Sequence, residues 1–176
     1  MTLGPLHEAT RDLHHACEAH PVGAAMAAGN PPIKWYGAWV NALSAIHEVT
    51  DLFVPDYVDR RPGLRADLAA LNVDPRSAPA AADRYANDLL FAPLFSPMFV
   101  PQAIEGALYV LIGAHLFGGE IMRRRLGDLP TQHLLWQDRQ AAVAWFKPLR
   151  EREELVEQAR RCFGVLLATM DEIEKS

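Results

Sequence analysis

Apolar residues recur every three or four positions along most of this chain, which is the spacing of an α-helix that buries one face. The pattern is clearest in residues 151–173, and residues 6–17 and 34–54 carry it as well. The stripe of the last segment consists of Leu155, Ala159, Cys162, Phe163, Leu166, Met170 and Ile173. No stretch alternates apolar and polar residues between turn signals, as a half-buried strand would. The pattern predicts an all-α fold of six to eight helices in a single domain spanning residues 1–176.

Prolines and short polar segments set the predicted ends of the other helices. Pro5 suits the first turn of the first helix, and Pro21 is expected to end that helix. Three shorter helices are predicted, at residues 65–71, 80–90 and 131–146. Residues 92–101 contain three prolines among apolar side chains, so we expect an irregular segment there.

Residues 107–126, with the sequence ALYVLIGAHLFGGEIMRRRL, predict one further helix that carries glycines in its apolar run. These are Gly113, Gly118 and Gly119. Each glycine inside a helix costs roughly 0.5–1 kcal/mol relative to alanine. This cost is usually offset because glycine lets the helix backbone come close to a flat ligand or to another helix. The sequence leaves these two interpretations open.

Composition and charge narrow the class of protein. Half of the residues are hydrophobic and 22% are charged, which is ordinary for a globular domain. The net charge of −5 and the pI near 5.8 argue against a nucleic-acid binder. Cys17 and Cys162 belong to no CxxC pair, so we expect reduced thiols. No secretory signal and no apolar run of membrane-spanning length is visible, so the expected location is the cytoplasm.

The signatures of hydrolases and zinc proteases are absent from the sequence. It contains no G-x-S-x-G elbow, no H-E-x-x-H helix and no phosphate-binding loop. Among the seven histidines, His14 stands out because Glu18 follows it by one helical turn. A carboxylate beside a metal-ligating imidazole fixes the orientation of the ring. One imidazole opposite a glycine-bearing helix suggests a planar cofactor with iron at its centre, although a lone histidine near an apolar face is more often structural.

Three segments together resemble the haem oxygenase family. The N-terminal LHEATRDLHHACEAHP is similar to its proximal helix, L-x-E-A-T-x-x-x-H-x-x-x-E, with matches at Leu6, Glu8, Ala9, Thr10, His14 and Glu18. Residues 107–126 resemble the distal helix of the bacterial members, Y-V-L-E-G-S-x-L-G-G. Residues 146–173 are similar to the family's last helix, with Phe163 in register. Residues 56–101 match only in length and helical character.

The resemblance implies a haem oxygenase-like fold with haem between the first helix and the glycine-bearing helix. His14 would be the proximal iron ligand, with Glu18 as its partner. The other implied contacts are Arg11, His7 and Lys147 for the propionates, and Phe117 and Phe163 for the ring. The implied reaction is the oxidative cleavage of haem to biliverdin, carbon monoxide and ferrous iron. It uses dioxygen and an external electron donor such as a ferredoxin, a flavodoxin or a reductase.

The glycine-bearing helix departs from the family pattern where dioxygen would be handled. Ile112 and Ala114 replace the family's glutamate and its serine or aspartate. In a gapless register, Phe117 takes the place of a close-approach glycine and would crowd the distal face. A shift by one residue instead puts His115 at the polar distal site. Both registers stay open, and the candidate catalytic positions are Gly113, Ala114, His115 and Gly118.

Two alternatives stand beside haem oxygenase. Ile112, Ala114 and Phe117 favour a haem- or bilin-binding protein of the same fold without turnover, acting as a carrier or sensor. A di-metal oxidase or thiaminase-like enzyme of the same superfold would draw on Glu48, Asp51, Glu105, His47 and His115. The run Arg123, Arg124 and Arg125 is either part of a docking patch for the electron donor or a solvated helix face.

Overall fold

The computed structural model describes residues 4–95 and 100–176, and these contain nine α-helices. In chain order they are α1 (Pro5–Ala19), α2 (Pro21–Ala28), α3 (Ile33–Thr50), α4 (Arg61–Leu71), α5 (Ala80–Phe95), α6 (Val100–Phe117), α7 (Gly119–Leu126), α8 (Arg139–Phe146) and α9 (Val156–Lys175). Short 3₁₀ turns occupy Asp51–Phe53, Pro75–Ser77, Gln132–Leu134, Lys147–Glu151 and Glu153–Leu155. Neither described range contains a strand, so the all-α prediction is confirmed, with more helices than the six to eight expected.

The first helix ends before Pro21 as predicted, since α1 stops at Ala19. A second helix, α2, which the sequence pattern missed, begins at Pro21 itself. Nδ1 of His20 caps this helix, α2, by accepting a hydrogen bond from the backbone N–H of Val22 at 3.2 Å. A proline at the first helical position loses no helical hydrogen bond. Gly29 ends α2 in the left-handed conformation, with φ of 80°. The pattern missed α2 because its small side chains form no clear apolar stripe.

The predicted single helix 107–126 is two helices, because the chain bends by 56° between α6 and α7. Gly118 lies at the bend, where a Cβ atom would lie 3.0 Å from the carbonyl oxygen of Ala114. The absence of a side chain at this position therefore leaves room for the Ala114 carbonyl. Within residues 4–95 and 100–176, no single helix is long and apolar enough to cross a membrane. The bent pair Pro101–Phe117 and Gly119–Leu126 meets that requirement of length and composition only when taken together.

Two other segments differ from the prediction. The expected helix at residues 131–146 is a 3₁₀ turn followed by α8, which Asp138 caps by accepting a backbone N–H three residues further on at 2.9 Å. Helix α5 continues beyond the predicted 80–90 segment. The irregular segment predicted at 92–101 is therefore helical at both ends, and residues 96–99 lie outside the described residues.

One continuous cluster of buried apolar side chains lies between α3, α6 and α9. Helix α1 packs along α9, where Arg160 donates to the carbonyl of Ala9 and pairs with Asp12 at 2.8 Å. Helix α6 also packs on α9, at Gly106. A Cβ atom at Gly106 would lie 2.5 Å from Cβ of Gln158. Because α1 and α6 rest on the same helix, α9 fixes their positions relative to each other.

Cys17 and Cys162 are both free thiols, so the prediction that they form no disulfide is confirmed. Burial raises the pKa of Cys17 to about 11 and that of Cys162 to about 12. Both thiols therefore stay protonated near neutral pH, and neither has the thiolate character of a nucleophile.

Candidate functional site

His14 stands on the exposed side of α1, with 47% of its side-chain surface accessible. Its Nδ1 lies 3.6 Å from the carboxylate of Glu18, one turn further along the helix. This distance is longer than a hydrogen bond but within the range of an ion pair. The ring of Phe163, from α9, meets the imidazole edge-to-face at 6.1 Å between centroids. Because Nδ1 faces Glu18, Nε2 is the nitrogen that the ring offers to a ligand.

Helix α6 reaches α1 one turn before His14. Burial raises the pKa of Tyr109 on α6, and the Thr10 side chain on α1 opposes this rise by hydrogen bonding. His14 follows Thr10 by four residues. Gly113 follows Tyr109 by the same interval, one helical turn further along α6. Helices α1 and α6 both pack on α9, through Arg160 and Gly106 respectively.

An aromatic side chain occupies the space that Gly113 leaves open. A Cβ atom at Gly113 would lie 3.0 Å from Cζ of Phe146 on α8. Tyr109 stacks on the same phenyl ring at 5.7 Å with 12° between the ring planes, and Phe117 meets it edge-to-face at 5.7 Å. We name Tyr109, Phe117 and Phe146 the aromatic cluster. Of the two interpretations of this glycine, the geometry shows tight packing against a neighbouring helix.

The two predicted registers place different residues of α6 in the distal site, and these residues differ in solvent exposure. Ala114 and Phe117 are exposed, Phe117 by 53%, and Gly113 beside them is half-buried. His115 is buried, with 5% of its surface accessible. Phe117, which the gapless register places in the distal site, is thus on the open face of α6. The imidazole of His115 does not lie on that face.

His115 belongs to a buried group that the sequence analysis did not assemble. Its ring stacks on His47 of α3 at 5.2 Å and meets His133 edge-to-face at 5.5 Å. Asp51 lies 2.8 Å from Nδ1 of His47, and Asp67 lies 2.5 Å from Nδ1 of His133. We name these five residues the histidine cluster. The four-residue spacing of His47 and Asp51 was visible in the sequence, whereas Asp67 and His133 are 66 residues apart.

Burial keeps the centre of the histidine cluster uncharged. It lowers the pKa of His115 well below the usual value, and the neighbouring His47, His133 and Arg60 add to the effect. Burial also lowers the pKa of His133, although the hydrogen bond with Asp67 opposes it. Nδ1 of His115 and Nε2 of His47 are buried without a hydrogen-bond partner among the described residues. The ring of His115, from α6, therefore lies buried between His47 of α3 and His133 of the turn before α8.

The cations predicted to meet the haem propionates lie on α1 and at the end of α8. Arg11 is exposed and pairs with Glu8 at 3.1 Å. His7 is half-buried, and Lys147 is exposed where α8 passes into a 3₁₀ turn. Each can be reached by an anionic group from solvent, and Arg11 would exchange Glu8 for it.

The acidic residues proposed for a di-metal centre are paired separately. Glu48 binds Arg65 at 2.5 Å, and Glu105 binds Arg152 at 2.6 Å. The remaining three, His47, Asp51 and His115, belong to the histidine cluster. The structure does not bring these five predicted ligands together as one metal centre.

Across residues 4–95 and 100–176, one set of three potential ligands lies within 4.8 Å of one another, namely His20, Asp171 and Glu174. Nδ1 of His20 accepts the backbone N–H of Val22, so the neutral ring carries its proton on Nε2. Nε2 lies 3.2 Å from Asp171. This arrangement satisfies the imidazole as a hydrogen-bond donor and leaves no lone pair for a metal ion.

The three arginines of α7 are engaged within the molecule. Arg123 and Arg124 pair with Glu120 at 3.1 and 2.8 Å, and Arg125 donates to the carbonyl of Ala27 at 2.6 Å. Exposed pairs of this kind contribute little to stability because solvent screens them. The arginines fit a solvated helix face with local pairing.

No protein-family model and no curated protein matches this sequence. Among solved structures, the chain is similar to haem oxygenase-1 from the cyanobacterium Synechocystis in complex with haem. The TM-score is 0.79 and the identity 17%, over 97% of this chain and 90% of that chain. It is also similar to haem oxygenase from Leptospira interrogans, with a TM-score of 0.80 and 15% identity over 95% and 97% of the two chains. Similarity at these identities shows the fold, so the predicted haem oxygenase-like fold is confirmed.

Proposed function

We propose that this protein is a haem oxygenase that binds haem between α1 and α6 and cleaves it to biliverdin, carbon monoxide and ferrous iron. The observation that carries the proposal is the exposed imidazole of His14, which has Glu18 beside its Nδ1 and Phe163 at its edge. The fold supports the proposal, since the solved structures that this chain resembles are haem oxygenases.

The donor set on α1 suits an axial ligand of haem iron. Iron takes a neutral imidazole nitrogen, and a carboxylate at the other nitrogen orients the ring and raises its basicity. His14 would ligate through Nε2 while Glu18 holds the proton on Nδ1. Phe163, already edge-on to the imidazole, would pack against the bound group. Bound haem would supply the iron and the porphyrin, which is also the substrate.

We propose that His7, Arg11 and Lys147 bind the propionates through charge-assisted hydrogen bonds. The present pair of Arg11 with Glu8 is exposed, and such pairs contribute about 1 kcal/mol or less, so Arg11 can exchange its partner easily. The positions of these cations would then set which edge of the ring points inward.

On the opposite side, α6 would present Gly113, Ala114 and Phe117. The side chains of these residues carry no polar atom, and the carbonyl of Ala114 already accepts the N–H of Gly118 at 2.9 Å. Protons for the reaction would therefore come from water held in the site. Electrons would come from an external donor of the ferredoxin, flavodoxin or reductase type.

Aerobic turnover of the hemin complex tests this function. Purified protein is mixed with one equivalent of hemin, a reductant and catalase are added in air, and the absorption spectrum is followed. We expect the Soret band to decay while a biliverdin band grows, in the wild type and equally in the His15→Ala control. Bound hemin that stays intact would refute the oxygenase activity. A protein that does not bind hemin would refute the site as well.

A haem-binding protein without turnover is the second candidate, and the aromatic cluster favours it. Phe146 fills the space beside Gly113, and Phe117 stands on the open face of α6 where dioxygen would approach. The Phe117→Ala variant separates the two candidates. Biliverdin formed by this variant but not by the wild type would show that the phenyl ring blocks turnover.

A further inference from the structure

A cavity outside the haem site lies between the first half of α6, α8 and the turn that follows α8. Its volume is about 390 Å³, within the range of roughly 300–1,000 Å³ that is usual for small-molecule sites. The walls are mostly apolar and include Ile104, Leu108, Trp145 and Leu149. None of the residues predicted to contact haem lines it. We name it the Glu105 cavity, after the acidic residue in its wall.

Glu105 is only partly satisfied in this wall. One carboxylate oxygen, Oε1, pairs with Nη1 of Arg152 at 2.6 Å. The other, Oε2, is buried and has no hydrogen-bond partner among the described residues. Buried carboxylate oxygens are nearly always hydrogen-bonded, because leaving one unpaired is unfavourable. Glu105 nevertheless lines the cavity with 30% of its side-chain surface accessible, so its carboxylate can accept a donor from the cavity as well as from Arg152.

The ion-pair network formed by Glu105, Arg152 and Glu154 is negative on balance. Arg152 is the cation facing Glu105, and its Nε also binds Glu154 at 2.7 Å. Two carboxylates therefore share one guanidinium, whose pKa they raise through hydrogen bonds. A cation entering the cavity would restore neutrality, whereas an anion would be repelled.

An exposed aromatic side chain borders the same cavity. Phe53, in the 3₁₀ turn after α3, has 59% of its surface accessible, although it is large and apolar. Together with Trp145 it offers aromatic surface that an apolar group in the cavity would cover. Aromatic faces also attract ammonium groups.

We propose that the Glu105 cavity binds a small aryl- or alkylamine, with the ammonium group donating to Glu105 and the apolar group packed against Leu108, Trp145 and Phe53. The volume limits the size of the ligand, the Glu105 carboxylate in the wall selects a hydrogen-bond donor, and the negative charge of its ion-pair network selects a cation. The proposal does not depend on haem binding, since the two sites share no residue.

Calorimetric titration with three compounds of one framework tests the proposal: phenylbutylamine, phenylbutanol and phenylbutyrate. We expect saturable binding of the amine at one per chain, weaker binding of the alcohol and none of the carboxylate. Glu105→Gln should weaken amine binding by about tenfold, because it removes a charge-assisted hydrogen bond. Phe53→Ser, at an exposed position that the fold tolerates, should also weaken it.

Two controls keep this result separate from the haem site. His14→Ala should bind phenylbutylamine as the wild type does, and Glu105→Gln should bind hemin as the wild type does. The proposal is overturned if no compound binds saturably, if all three bind alike, or if Glu105→Gln leaves amine binding unchanged. Loss of amine binding in His14→Ala would also overturn it, because the amine would then occupy the haem site.

Discussion

Replacing His115 by leucine should change how the stability of this protein depends on pH. His115 is buried between His47 and His133, and its Nδ1 has no partner among the described residues. The charged groups around it are Arg60, Asp51 and Asp67. Since the two aspartates bind the outer rings, a proton added to His115 would have no carboxylate of its own.

The sign and size of the effect follow from proton linkage. The pKa of His115 is lowered in the folded protein, chiefly by burial, whereas an unfolded chain has a histidine pKa of about 6.5. The unfolded state therefore binds an extra proton below about pH 6.5. The stability that neutral His115 contributes is fully present above that pH and is lost as the pH falls, by up to about 1.4 kcal/mol per pH unit. Between pH 6.5 and 5.0 the loss integrates to at most about 1.7 kcal/mol.

Urea unfolding followed by circular dichroism at several pH values between 5.0 and 8.0 measures this slope. We expect His115→Leu to lose up to about 1.7 kcal/mol less than the wild type between pH 6.5 and 5.0. At pH 8 the variant should be close to the wild type, because leucine removes a buried nitrogen that lacks a partner. The control Ile46→Val, in the adjacent turn of α3, should lower stability by about 0.5–1.5 kcal/mol equally at every pH. Parallel curves for the wild type and His115→Leu would refute the reasoning.

Three further changes give independent checks. Gly106→Ala should destabilise the protein by about 1–3 kcal/mol in urea unfolding, because the added Cβ would press on α9. The control Gly164→Ala, whose Cβ would have nothing within 4 Å, should stabilise it by about 0.5–1 kcal/mol. A Gly106→Ala variant more stable than the wild type would contradict the close packing of α6 on α9. Asp67→Ala should cost about 3–5 kcal/mol in the same assay, because the buried carboxylate accepts two backbone N–H groups and the His133 ring. Phe117→Ala should strengthen hemin binding about tenfold in a Soret titration, because it removes a phenyl ring that crowds the haem. Tenfold corresponds to about 1.4 kcal/mol of binding free energy. An unchanged affinity would place the phenyl ring away from haem.

The helices with a wide apolar stripe were predictable from the sequence alone. The last helix was expected at residues 151–173 and is observed as Val156–Lys175 after a 3₁₀ turn. Helix α2 was not predicted, because alanine, glycine and methionine give little contrast between two faces. The bend at Gly118 was not predicted either. The apolar run continues through it, and the glycine permits a bend without requiring one.

In the candidate site, features within one helix were predictable from the sequence, whereas contacts between distant segments were not. His14 and Glu18 are one turn apart on one helix, so their proximity follows from helical spacing. The position of Phe146 against Gly113 depends on how α8 packs on α6. The burial of His115 likewise depends on residues of α3 and of the turn before α8. Neither long-range contact has a signal in a single sequence.

The most direct test of the proposed haem site is a hemin titration of the wild type, His14→Ala and His15→Ala, followed at the Soret band with and without added imidazole. The neighbouring His15 is also exposed on α1, so its variant controls for the loss of a surface imidazole. We expect the wild type and His15→Ala to bind one hemin per chain with a histidine-ligated spectrum. His14→Ala should lose that spectrum and regain it when imidazole is added. A His14→Ala variant that binds hemin with the wild-type spectrum and affinity would contradict the assignment of His14 as the iron ligand.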